Sequence, residues 1–143
     1  MLKITKYLMI CIVFFSIFMT GCSNEANSSG NKIIVQKRVG EEDQYELFKE
    51  ITDNDVVKKA AELLEDVRWK NGVVLMTQPP HYKFQFEDDN QSIGSNYDLW
   101  ISPNKDQVEL VIEEQEKYIQ LNKNQSAELF EFVTESQLIN SNE

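Results

Sequence analysis

HYKFQFEDDNQSIGSNYDLWISPNKDQVELVI, residues 81–112, contains three alternating runs. Tyr82, Phe84 and Phe86 alternate with Lys83, Gln85 and Glu87. Tyr97, Leu99 and Ile101 stand opposite Asp98, Trp100 and Ser102. Val108, Leu110 and Ile112 stand against Glu109, Val111 and Glu113. A period of two places each apolar set on one face of a strand. Asp88–Asn96 is polar and is expected to be a loop, and Pro103–Asp106 a tight turn. Strands joined by such short connections pair antiparallel.

The pattern extends in both directions. Ile33, Val35 and Val39 alternate with Ile34, Gln36 and Arg38, and a turn at Gly40–Gln44 leads to a weaker strand over Tyr45–Ile51. Thr52 or Asp53 is suited to cap a helix, with Asp55 placed where the helix dipole favours a negative charge. Val56, Ala60, Leu63, Leu64 and Val67 recur at helical spacing, so the helix is expected to run to about Arg68, stopped by Asn71-Gly72. Val73–Met76 reads as a short strand, and Pro79-Pro80 excludes helix. Downstream, Glu114–Glu116 is a charged turn and Lys117–Leu121 a short strand. Asn122 or Asn124 can cap a last helix whose apolar face is Leu129, Phe130 and Val133, with Phe132 beside it. The expected architecture is α+β: an antiparallel sheet of about five to six strands, with two amphipathic helices packed on one face.

The N-terminal end predicts a place. Lys3 and Lys6 precede twelve residues, Leu8–Met19, that are apolar apart from Ser16. This is shorter than the ~18–20 residues of a membrane span and within the ~7–15 of a secretory apolar core. Residues 1–21 are therefore expected to be a signal peptide. Met19, Thr20 and Gly21 lead into Cys22 and resemble the lipobox of bacterial lipoproteins. That resemblance implies a diacylglycerol on the Cys22 sulfur and a mature chain beginning there. Two acyl chains anchor stably where one does not, at roughly 0.8 kcal/mol per buried methylene. Residues 22–32, the lipidated cysteine followed by SNEANSSGNK, form a flexible tether. Residues 33–143 are long enough for a single domain with its own core.

Cleavage would also remove Cys11, leaving Cys22 as the one cysteine. An internal disulfide, a catalytic thiol and a thiolate metal site are then all excluded. With Lys3 and Lys6 gone, 12 basic side chains face 24 acidic ones, a formal balance of −12. Such a surface keeps a protein soluble and repels phosphate backbones, so no nucleic-acid partner is expected.

The residues of known catalytic and metal motifs are incomplete here. Starting an EF-hand at Asp88 puts Ile93 where the glycine belongs and Leu99 where the bidentate glutamate belongs. His81 is the single histidine, too few for a zinc site, and no nucleophile motif accompanies it. The carboxylate clusters Glu113, Glu114, Glu116 and Glu87, Asp88, Asp89 fall at turns, where acids are solvated. No catalytic residue, metal or cofactor is implied.

One feature points to binding. If Tyr97, Leu99 and Ile101 face the helices, Trp100 and Val111 lie on the open face of the sheet, joined by Tyr118 or Ile119 according to register. An apolar strip on an open sheet face can dock a partner. The other arrangement has the N-terminal hairpin or the loops covering the strip.

NGVVLMTQPPHYKFQF (71–86), YDLWIS (97–102) and EKYIQLNKNQSAELFEFV (116–133) are together similar to the YhfM-like domain of small Bacillus lipoproteins. The similarity spans most of Ile33–Val133 and is weakest in the first hairpin. It implies location and fold and carries over no catalytic residue. The abundance of Lys, Asn and Ile correlates with a low-GC Gram-positive source. The expectation is a non-enzymatic domain, held by Cys22 on the outer face of the cell membrane, that binds a protein, peptide or wall component. The alternative is a small surface hydrolase working through acidic residues.

Overall fold

The computed structural model describes residues 30–89 and 91–138. The expected signal peptide, the lipidation site Cys22 and the tether as far as Ser29 lie outside the described residues. Strands β1 (Lys32–Arg38) and β2 (Tyr45–Ile51) precede helix α1 (Asn54–Asp66) and a two-residue strand β3 (Lys70–Asn71). Strands β4 (Tyr82–Asp88), β5 (Gln91–Ile101) and β6 (Val108–Ile112), a 3-10 turn (Glu113–Gln115), strand β7 (Lys117–Gln120) and helix α2 (Lys123–Thr134) follow. All strands join one sheet of order β2-β1-β4-β5-β6-β7-β3, with every neighbouring pair antiparallel.

The α+β class stands as expected, but the sheet has seven strands rather than five to six. β3 is too short to carry a pattern. The stretch expected as a loop at Asp88–Asn96 is mostly strand: β5 already pairs with β4 at Asp88↔Gln91, and Asp89, with φ +47°, turns the chain between them. Val73–Met76 is not a strand, and α1 ends at Asp66 rather than Arg68.

Local chemistry explains the helix boundaries. The Asp53 carboxylate accepts the N–H groups of Asp55 and Val56, satisfying donors that have no partner within the helix. Of the two candidate caps for α2, Asn122 is the one used, in a reciprocal capping box with Gln125. The Trp69 indole N–H donates to the Leu64 carbonyl at 3.0 Å, closing the C-terminal turn of α1.

One core lies between the helices and a single sheet face. Ile33, Val35, Phe84, Phe86, Tyr97, Leu99, Leu110 and Ile119 pack against Val57, Ala60, Ala61 and Leu64 of α1 and Leu129, Phe130 and Val133 of α2. The buried stripe of α1 thus runs through Val57 and Ala61, with Val56 and Leu63 at its margin. Phe84 and Tyr97 stack at 4.9 Å, and Phe130 meets the Tyr82 ring edge-on. Buried Ser126 joins the layers: its Oγ accepts the Val108 N–H at 2.9 Å and donates to the Leu121 carbonyl.

The strand order forces the chain around the sheet. β2 is at one edge and β3 at the other, so α1 and its flanking residues carry the chain across one face. β4 lies four strand spacings back from β3, about 19 Å. Residues 72–80 must recross that distance, and nine extended residues reach roughly 30 Å. They recross on the face opposite the helices, as a strap.

Candidate functional site

The strap and the sheet beneath it enclose a cleft of about 560 Å³. The face away from the helices presents a row that crosses six strands, Gln36, Lys83, Asp98, Val111, Tyr118 and Lys70, each paired to the next by register. Trp100 stands beside this row, opposite Glu109. Trp100 and Val111 are therefore on the outer face, as the alternation predicts. Tyr118 faces outward with them, while Ile119 enters the core.

The face is not open at that point. Trp100 is 8% exposed and Val111 9%, because the strap lies over them. Of the two arrangements weighed from sequence, a covering loop is the one observed. The indole N–H of Trp100 donates to the Gln78 carbonyl at 2.8 Å, pinning the strap to β5. Two further bonds hold the same end: Arg38 donates to the Pro79 carbonyl, and the Tyr45 hydroxyl donates to the Pro80 carbonyl at 2.9 Å. At the other end the Gly72 N–H donates to the Glu116 carbonyl at 2.8 Å. Between these pins, among the described residues, no backbone hydrogen bond joins Val73–Thr77 to the sheet. Val73 is 74% exposed and Leu75 92%. Apolar side chains are thus displayed on the outer lip of a strap held at both ends.

The cleft floor holds a charged group that sequence reasoning missed. Asp98 is 6% exposed, with its carboxylate 3.6 Å from the Lys83 ammonium. Burial pushes its carboxyl up to about 6; Lys83 acts in the opposite direction, and Glu113 and Glu114 add to the rise. Lys83 also lies 4.8 Å above the Tyr45 ring, a cation–π contact. Asp43, Glu113 and Glu116 add charge to the lining, and the strap residues Val73–Met76, with Trp100 and Val111, supply an apolar part. A smaller hollow of about 250 Å³ shares Lys83, Asp98 and Glu113 and extends the groove towards β1. The alternation of β5 does place Asp98 outward, but its burial depends on a segment that returns from the far edge of the sheet.

His81 has a structural role. Its Nδ1 accepts the Ile101 N–H at 3.1 Å, and burial, with Arg38, holds the imidazole below its ordinary pKa. Among the described residues no group of three or more His, Cys, Asp or Glu side chains could hold a metal ion. Among the same residues, no helix is long and apolar enough to cross a membrane.

No curated protein and no solved structure matches the chain. A family model described as "YhfM protein" matches residues 26–138, from before β1 to beyond α2, and so takes in the strap, the outer face and both helices. The chain belongs to the YhfM protein family.

Proposed function

We propose that this is a lipid-anchored binding domain on the outer face of the cell membrane, and that it holds a protein, peptide or wall component in the cleft between the strap and β5–β6. The observation that carries the reading is the strap itself. It roofs a cleft within the ~300–1,000 Å³ range of ligand sites, while exposing Val73 and Leu75 rather than burying them. Apolar residues on a pinned loop, beside a cleft floored by an aromatic ring, are the usual ingredients of a docking site. The short apolar leader and the Thr20-Gly21-Cys22 sequence support the anchor, and YhfM-like lipoproteins of Bacillus support the address.

Two experiments test the parts separately. Cells fed labelled palmitate should incorporate it into the chain, and the Cys22→Ala form should lose the label; label that persists contradicts the anchor. The triple variant Val73→Ser, Val74→Ser, Leu75→Ser should keep its unfolding midpoint within error and lose the partner recovered from intact membranes. Undiminished recovery by that variant refutes the cleft as the site.

A second reading, a surface hydrolase, is supported by Asp98. A carboxyl raised to about 6 beside Glu113 suits a general acid. In that case Asp98→Asn would abolish turnover of a wall polysaccharide, whereas the binding reading expects no turnover by either form.

A further inference from the structure

Resting on the reading of the cleft as the ligand site, we propose that its occupant is a basic stretch of polypeptide, which lays an apolar side chain against Trp100 and a lysine or arginine among Asp43, Glu113 and Glu116. Charge complementarity selects this class. Among the described residues four carboxylates line the cleft, Asp43, Asp98, Glu113 and Glu116, against the one ammonium of Lys83. Lys83 is already engaged by Asp98 and by the Tyr45 ring, so its charge is spent within the floor. Glu113 and Glu116 are exposed and border the opening. Among the described residues no cation other than Lys83 lines the cleft to receive an anionic ligand, and a neutral one would leave the field of these groups unused. The whole chain, at a formal −10, steers cations in the same sense.

Size and shape favour polypeptide over a small amine. About 560 Å³ accommodates a few side chains. Val73 and Leu75, in the lining yet largely exposed, carry the apolar surface out to the rim of the cleft, further than a small amine extends. Trp100 and Val111 offer the floor an apolar side chain would need, next to the carboxylates a cationic neighbour would need.

The test uses the full chain in a neutral detergent, with tryptophan side chains labelled with ¹⁵N, and three synthetic peptides: acetyl-Lys-Leu-Lys-Leu-Lys-amide and its counterparts with Gln or Glu in place of Lys. The basic peptide should move the Trp100 indole resonance and leave that of Trp69, on the helix face, unmoved. The Glu peptide should not bind. Glu113→Gln and Glu116→Gln should each weaken the basic peptide about 2- to 5-fold, the range of exposed ion pairs, and added salt should weaken it further. Equal binding of the Gln and Lys peptides, both moving Trp100, would overturn the inference while leaving the cleft as a binding site. No peptide moving Trp100 would overturn the inference, while the cleft reading stands or falls separately on the Val73, Val74 and Leu75 variant. Binding of the basic peptide without movement of Trp100 would mean charge attraction elsewhere, and would also overturn the inference.

Discussion

Replacing Trp100 with alanine should cost stability, and the size of the loss tests the description of the strap. The indole is 8% exposed, wedged between β5 and residues 72–80, and bonded to the Gln78 carbonyl. Full burial of a tryptophan sets the cost of Trp→Ala at about 3–5 kcal/mol. Two features place this case at the lower end. The strap between its pins can settle into part of the vacated volume, and the carbonyl of Gln78, a residue exposed overall, can turn to water once its donor is gone. The expected loss is about 3 kcal/mol, a large part of the ~5–15 kcal/mol stability of a small domain. Trp100→Phe keeps most of the packing and removes the hydrogen bond, so it should lose about 1 kcal/mol. Urea unfolding followed by far-ultraviolet circular dichroism measures both without relying on the deleted fluorophore. A Trp100→Ala loss below about 0.5 kcal/mol, the level of an ordinary surface substitution, would show that the strap does not cover this ring. The same reasoning moves the functional test away from Trp100: a residue that carries the fold cannot by its loss report on binding, whereas exposed Val73 and Leu75 can.

Asp98→Asn should flatten the dependence of stability on pH between about 4 and 6. The native carboxyl sits near 6 against 3.8 when unfolded, so the folded state holds the proton more tightly and this group's contribution is lost as pH rises through that window. His81, shifted downward, acts in the opposite sense, and subtracting the Asp98→Asn curve from wild type removes it. The difference in urea stability between pH 4 and pH 7 should be on the order of 2 kcal/mol, and a difference of opposite sign refutes the buried carboxyl. Ser126→Ala leaves the buried Val108 N–H without its acceptor and should cost about 1–3 kcal/mol by the same assay. Asn122→Ala removes the cap of α2 and should cost about 1 kcal/mol, with Asn122→Asp restoring most of it.

Much of the sheet was legible because burial on one face writes a period of two. Tyr82, Phe84 and Phe86, then Tyr97, Leu99 and Ile101, then Val108, Leu110 and Ile112 all face the helices, with Ile101 partly buried at the margin. The same alternation placed Asp98, Trp100 and Val111 on the other side. The extra strand content was illegible for local reasons: Lys70–Asn71 is two exposed residues, and Gln91–Asn96 carries one apolar side chain, Ile93 opposite Phe86, too few to show a period of two. The site itself was half legible. Trp100 and Val111 stood out in the pattern, but what covers them did not. Val73–Met76 looks like a buried strand because its residues are apolar, yet it makes no ladder and exposes most of its surface. Only the position of β3 at the far edge sends that segment back over the sheet. That is a long-range consequence of strand order, and with it come the burial of Asp98 and the existence of a cleft.

On the proposed function, partners meet this domain at the strap. A photoreactive benzoyl-phenylalanine placed at Leu75 in the full-length chain, compared in intact cells with the same group at exposed Glu128 of α2, tests it most directly. A discrete, reproducible adduct is expected from position 75 and none from position 128. Equal labelling at both positions, or a discrete adduct from position 128 alone, would contradict it.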